Sequence, residues 1–391
     1  MYWQTDGLTD GITMFARCFN LTSFTSDLSS LTNGQGMFEY CTALTTFSSD
    51  LPSLTDGAWM FSSCDNLISF TSDLSSLTNG QGMFYYCYDL ESFNSDLSSL
   101  TDGSSMFYYS GIESFTSDLS SLTNGTNMFN YCSELKSFSS NLSSLENASL
   151  MFINCSKLTT FTSDLPSLTD GGAMFGNCFN LASFSSDLSN LTNGNTMFRS
   201  CSNLTSFSSG LSSLTNGTNM FSSCKLDAQS VANIIHFIPQ RDAKPTSTTD
   251  DGNILIGIGI TNTDAAKQAF AEECYCNNWD ELNQDFDDKN WAVQWQFNGE
   301  AATYDLRSPR PSTAVYAKLE EVFIPTDEEI VEAKVKRERI EIPHYQYTSQ
   351  DGTKFYNIYW YHDSNSSNEG FMQFESLEHA IEAFEVIPVE N

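Results

Sequence analysis

Basic side chains are scarce. The 391-residue chain carries 17 Lys and Arg against 49 Asp and Glu, a net charge of −32 with an isoelectric point near 4.1. A nucleic-acid backbone is held by clustered Lys and Arg that displace counterions, so that class of partner is excluded, and an anionic membrane surface with it. Long apolar runs are missing too. No stretch of about 18 apolar residues is present, and no membrane insertion is expected. The opening Met1-Tyr2-Trp3-Gln4 has neither the basic n-region nor the apolar h-region of an export signal. No nucleophile elbow, phosphate-binding loop or metalloprotease motif occurs. Cys274-x-Cys276 lacks a second cysteine pair, with only His236 near it in sequence, so a zinc site is not supported. His344 and His362 read as structural. Neither enzymatic activity nor a cofactor is expected.

What is present is a period. Met-Phe pairs begin at Met14, Met37, Met60, Met83, Met106, Met128, Met151, Met174, Met197 and Met220, each step being 23 residues except one of 22. A fixed period of this length marks a solenoid, in which one coil cannot bury its apolar face alone. The chain opens inside a repeat, since Leu8-Thr9-Asp10-Gly11 already matches later coils; an upstream segment or a partner is expected to cover the first one.

The composition changes at residue 225. Residues 1–224 hold 19 Asp and Glu against 4 Lys and Arg, and residues 225–391 hold 30 against 13. Within the coils, the stretch from Leu44 to Leu51 predicts a short strand. The Asn-Gly and Asp-Gly steps (Asn33-Gly34, Asp56-Gly57, Asn79-Gly80 and onward) predict a tight turn needing a permissive residue, with Asn147-Ala148 as the exception. Two phenylalanine ladders are predicted, one through Phe38, Phe61 and Phe84, the other through Phe24, Phe47 and Phe70. Nine of the eleven cysteines, from Cys18 to Cys224, sit three residues after a repeat Phe. One column of this kind reads as buried thiols serving as small apolar groups, with Ser110 substituting in the fifth coil.

The pattern Cys-x-x-Leu-x-x-Phe-x-x-Asp-Leu-x-x-Leu-x-x-Gly-x-x-Met-Phe-x-x-Cys resembles the BspA-like and treponemal-type leucine-rich repeats over residues 8–224. Met stands where the treponemal consensus has Ala, and Asp where Pro is usual. The resemblance implies a curved solenoid and non-catalytic recognition of proteins or cell surfaces.

After the repeats, Asp227-Ala228-Gln229-Ser230 opens a helix that Pro239 ends. Residues 245–252 read as a polar loop. Asn253–Ile260 reads as a strand, Asp264–Cys274 as a helix and Trp291–Phe297 as a strand. Ala301–Ser312 reads as a linker, Val315–Phe323 and Asp327–Val335 as helical. Arg339–Tyr347 and Lys354–His362 read as a hairpin, and a last helix runs from Ser376 to Phe384. This end resembles, more faintly, small modules of gut-phage virion proteins. The expected fold is α+β: a leucine-rich-repeat solenoid of about ten coils (1–224), an α/β cap (225–298), a linker (299–325) and a ββα-like module (326–391).

Three surfaces are candidate sites. Tyr40, Tyr85, Tyr86, Tyr108, Tyr109 and Tyr131 fall in the variable positions after Met-Phe and would form an exposed recognition patch. Thr22, Ser23, Thr25 and Ser26, with their equivalents, would give a hydroxyl-rich strand face able to meet carbohydrate. Asp27, Asp50, Asp73, Asp96 and Asp118, continued by Asp164 and Asp187 with Asn141 and Gly210 filling the remaining coils, form a column. Its carboxylates either accept hydrogen bonds from turn amides or hold calcium. The functional expectation is a virion component, a tail or fibre protein, that displays the solenoid and docks to other virion subunits through the C-terminal module. The alternative is a bacterial cell-surface adhesin fragment. In either setting the partner is protein or carbohydrate at a cell surface.

Overall fold

The computed structural model describes residues 5–242 and 252–298, with the backbone alone of five later strands between 317 and 374. The chain divides into two units, Met1–Thr246 with Asp250–Gly299, and Glu300–Asn391 with Ser247–Thr249.

In the first unit most coils leave room for only two residues of strand: β1 (Ser23–Phe24), β2 (Thr46–Phe47), β3 (Ser69–Phe70), β4 (Ser92–Phe93), β5 (Ser114–Phe115), β6 (Ser137–Phe138), β7 (Thr160–Phe161), β8 (Ser183–Phe184) and β9 (Ser206–Phe207). Equivalent residues pair in parallel, Ser23 with Thr46 and Phe24 with Phe47, within four short sheets, β1-β2, β3-β4, β5-β6-β7 and β8-β9. A second line of parallel bridges runs Asp10, Asn33, Asp56, Asn79 and on to Asn216. Along the Met-Phe segment the Phe15 amide donates to Met37, the Phe38 amide to Met60 and the Phe61 amide to Met83, at 2.8–2.9 Å. The backbone thus finds many of its partners one coil away, the defining economy of a repeat stack.

The interior repeats with equal regularity. Phe38, Phe61, Phe84 and Phe107 stack with centroids 5.4–5.5 Å apart and planes within 6°. The Phe24, Phe47, Phe70 and Phe93 ladder has a 5.8–5.9 Å spacing. Rings of the two ladders meet edge to face at 4.7–5.6 Å, the arrangement the ring quadrupole favours. Burying each ring contributes about 1.5–3 kcal/mol.

Three expectations for the repeat are corrected. Gly34, Gly57 and Gly80 are not needed for a left-handed backbone. A Cβ on Gly34 would meet the Met60 sulfur at 2.9 Å, and one on Gly57 the Met83 sulfur at 3.1 Å. These glycines make room for the next coil's methionine, and Ala148 shows that one methyl can be accommodated. The left-handed residues lie elsewhere, before Met and before Cys, as at Ala173 (φ 53°) and Asn177 (φ 60°). The cysteines, all free, are more than apolar filler. The thiols of Cys41, Cys64, Cys87, Cys132, Cys155, Cys178, Cys201 and Cys224 donate to the carbonyl of a Phe in the preceding coil at 3.0–3.3 Å. Burial raises the Cys41 thiol to about 11 and that of Cys132 to about 12. Cys18, in the first coil, is exposed. Finally, Ser26 is buried, because extended backbone after Phe24 turns alternate side chains inward. Thr22, Ser23 and Thr25 remain on the outside.

Residues 221–298 add β10 (Phe221–Leu226), α1 (Ala228–Phe237), β11 (Asn253–Ile258), α2 (Asp264–Glu273), α3 (Trp279–Asp288) and β12 (Ala292–Gln296). Asp227 caps α1 by accepting from the Ser230 amide, and Thr263 and Asn278 cap α2 and α3 in the same way. α3 is an element the sequence does not announce; its buried anchors are only Leu282 and Phe286. The parallel order β10-β11-β12 continues from the last coil. Side chains here meet groups that elsewhere face a further coil. The Phe207 amide donates to Ser230 Oγ, the Ser223 amide to Gln296 Oε1, and Arg241 donates to the Thr215 carbonyl. Over Gly217, where a following methionine would lie, stands the fully buried Trp291; a Cβ on that glycine would meet its ring at 3.2 Å.

In the second unit β13 (Ala317–Leu319), β14 (Glu332–Arg337), β15 (Glu341–Thr348), β16 (Lys354–Trp360) and β17 (Gly370–Phe374) pair antiparallel in sequence order. The hairpin of β15 and β16 is present, with Tyr347 opposite Phe355. Where they are described, the helices expected at Val315–Phe323 and Asp327–Val335 are strand instead: β13 takes residues 317–319 of the first, within the expected linker, and β14 takes the second from Glu332 on, the other residues of both lying outside the described ones. Ala333 and Val335 alternate with Lys334 and Lys336, a period of two that suits a strand. The polar loop expected at 245–252, apart from Gly252, the Ala301–Ser312 linker and the Ser376–Phe384 helix lie outside the described residues.

Candidate functional site

A coil varies at the two positions between Met-Phe and Cys. The second of these is left-handed throughout: φ is 59° at Tyr40, 59° at Tyr86, 57° at Tyr109 and 61° at Tyr131, and also 57° at Ser63 and 66° at Asn154. Because Ser and Asn coils share the conformation, it belongs to the coil and not to the aromatic. For a non-glycine residue it costs about 1–2 kcal/mol. Its effect is to carry that side chain out of the stack.

The structure divides the six tyrosines. Tyr40 stands apart, with the Arg17 guanidinium 5.7 Å from its ring centroid. Tyr85, Tyr86, Tyr108, Tyr109 and Tyr131 form one cluster. Tyr85 stacks on Tyr108 at 4.7 Å and Tyr109 on Tyr131 at 4.2 Å, while Tyr86 lies 5.5 Å from Tyr109. Two further rings join it. Trp59 meets Tyr85 at 5.3 Å, and Tyr88 stacks on Tyr86 at 5.6 Å. Sequence reasoning misses both because they fall outside the two positions before Cys; Tyr88 belongs to the column just after Cys, where exposed Phe19 and Phe179 recur, and Trp59 to the position before Met. Withdrawal from water raises the phenol pKa of Tyr85, Tyr88, Tyr108 and Tyr109, so their hydroxyls stay neutral.

Two columns of Asp and Asn handle charge differently. In the first, Asp27, Asp73, Asp96, Asp118 and Asp187 accept from the amide two residues on, Ser29, Ser75, Ser98, Ser120 and Ser189, at 2.8–3.0 Å. The Ser29 and Ser75 amides hold the Asp27 and Asp73 carboxyls below the usual range. Asp50 and Asp164 lack such an amide, since Pro52 and Pro166 stand at that place. In the second column, Asp10, Asn33, Asp56, Asn79, Asp102, Asn124, Asn147, Asp170, Asn193, Asn216, no two carboxylates are adjacent. The Asn79, Asn124 and Asn193 amides donate to Asp56, Asp102 and Asp170 at 2.9–3.1 Å. Among the described residues no three His, Cys, Asp or Glu side chains converge as a metal site. Nor, among them, is any helix long and apolar enough to cross a membrane.

Parallel coils with Leu, Phe and Cys columns define a leucine-rich-repeat protein. Residues 11–136, 57–170 and 125–241 match the BspA type leucine rich repeat region (6 copies). Those stretches together span more than half of the chain, which belongs to this family. Among solved structures it is similar to a leucine rich cell surface protein from Faecalibacterium prausnitzii A2-165, at 18% identity over 77% of this chain and 79% of that one, with a TM-score of 0.35. It is also similar to a leucine-rich repeat protein from Bacteroides ovatus ATCC 8483, at 16% identity over 73% and 86%, with a TM-score of 0.26. No curated protein matches it.

Proposed function

We propose that this chain is a non-enzymatic recognition protein of the bacterial cell surface. Its repeat stack presents the tyrosine cluster to a protein partner. Residues 225–298 seal the end of the stack, and the five-strand unit attaches it to its support. The observation that carries the reading is the contrast within each coil. Phe and Met recur in every coil inside, with Cys and Leu replaced only by Ser110 and Ile112, while seven aromatic rings gather at variable outer positions over consecutive coils. Tyr88 and Tyr131 are exposed and the other five rings half-buried against them, so the cluster is less open than an exposed patch; aromatics gathered on a rigid surface are what protein interfaces concentrate. BspA-type membership supports the cell-surface setting over the phage tail or fibre one, for which the relatives give no support.

Antibodies against the stack should label intact, unpermeabilised bacteria that make the protein. Labelling only of lysed cells, or of purified phage particles, would refute the setting. The full chain should bind target cells, and joint replacement of Tyr85, Tyr86, Tyr108 and Tyr109 by Ser should abolish that binding without lowering the melting temperature. Undiminished binding would remove the cluster from the function.

A further inference from the structure

One edge of the tyrosine cluster is acidic. Tyr88 stacks on Tyr86 at 5.6 Å, meets Tyr109 edge-on at 6.3 Å, and is 52% exposed. Asp65 holds the Tyr88 position one coil earlier, and Asp89 follows Tyr88 in sequence. The Asp89 amide donates to the Asp65 carbonyl at 3.1 Å, bringing the two residues together. Burial, and then the charge of Asp89, raises the Asp65 carboxyl above its ordinary value; Asp65 also helps to raise the Tyr88 phenol. Among the described residues the ion pairs are Lys136–Glu113 and Lys157–Glu134, neither of which serves Asp65 or Asp89.

The same coil position, outside the cluster, already accepts a guanidinium. Arg17 occupies the coil position of Tyr86 and Tyr109, and lies over Tyr40, which holds that position in the next coil. A cation over a ring face gains from the quadrupole, and carboxylates at the rim add charge complementarity. A neutral sugar fits less well. It would leave two close carboxylates uncompensated. The Tyr85/Tyr108 and Tyr109/Tyr131 faces it would stack on are closed against each other, with planes within 10°.

Resting on the recognition reading above, we propose that Tyr86, Tyr88 and Tyr109, with Asp65 and Asp89, form a docking site for a Lys- or Arg-bearing segment of a partner protein.

The test uses the full chain and a dye-labelled Gly/Arg peptide, read by fluorescence anisotropy. Its controls are the same peptide with citrulline for Arg and a neutral malto-oligosaccharide. The net charge attracts any cation diffusely, so charge-matched variants are compared. The pair Asp65→Asn with Asp89→Asn, and separately Tyr88→Ser, should each weaken binding about tenfold. The pair Asp73→Asn with Asp96→Asn, in the other column, should change it less than about twofold. Melting temperatures of all variants should show no loss of fold. Equal losses from the two Asn pairs, equal binding of the citrulline peptide, or binding of the oligosaccharide that Tyr88→Ser removes would overturn the proposal. Each of these outcomes leaves the recognition reading standing; that reading fails instead if cell binding survives loss of the tyrosines.

Discussion

The repeats and the segment that follows them solve one problem in opposite ways. Inside the stack a backbone group is satisfied by the same segment of the next coil, as where Gly34 donates to Asp56 and Phe38 to Met60. After the last coil no further coil follows: β11 pairs with β10, and elsewhere side chains take over, Gln296 for the Ser223 amide, Arg241 for the Thr215 carbonyl and, in packing, Trp291 over Gly217. The repeats can therefore be written by period alone. The end of the stack has to be built from particular residues, some brought from more than 50 positions away, as Lys289 is to the α1 carbonyls of Ile235 and His236. Defects should consequently spread through coils but stay local at the end.

Trp291 gives the sharpest way to break that comparison. Trp291→Ala should cost about 3–5 kcal/mol in denaturant titration. Trp291→Met, which restores the residue the stack itself uses over glycine, should cost markedly less; equal losses would show that Trp291 does not stand in for a further coil. Lys289 donates to the carbonyls of Ile235, His236 and Ile238 at 2.6–3.2 Å. Lys289→Met should cost about 1–3 kcal/mol, with faster amide exchange confined to α1 and its neighbours. Exchange quickening throughout the coils would contradict a local end.

A smaller, stabilising effect is expected inside the stack. Ala173 is left-handed at φ 53°, and Gly36 and Gly82 hold the equivalent place in other coils. Ala173→Gly should raise stability by about 1 kcal/mol, measured by thermal melting; a loss would mean the conformation is not strained. The least change concerns pH. Because the Asp65 carboxyl is raised in the folded chain, its charge weakens folding as pH rises through the ordinary carboxylate range, and the penalty is full above the folded value. Asp65→Asn should melt higher than the parent at neutral pH, and the gap should close in acid. A gap that widened in acid would reverse the sign.

The columns are legible in the sequence because a fixed period places equivalent residues on one another whatever the coil's path. The phenylalanine ladders and the outward tyrosines need no more than that. What the sequence conceals is contact between coils. Gly34 reads as a turn residue, since nothing local reveals that Met60 lies over it. The thiols read as inert, since their acceptor carbonyls are 25 or 26 residues away. Tyr88 and Trp59 escape notice because the cluster they join is spatial. In residues 225–298, α1 announces itself through Asp227 and Pro239, whereas α3 buries only Leu282 and Phe286 and gives too thin an apolar stripe.

The alternation of Asp and Asn in the second column has a bearing on how such a chain can grow or shrink. Excision of the coil bearing Asn33 would set Asp10 against Asp56, two carboxylates in the spacing where an amide now intervenes. Excision of that coil together with the next would instead bring Asp10 beside Asn79 and restore the order. Recombination in steps of two thus keeps the alternation over the first half of the stack, whereas loss of a single Asn-bearing coil sets two carboxylates together.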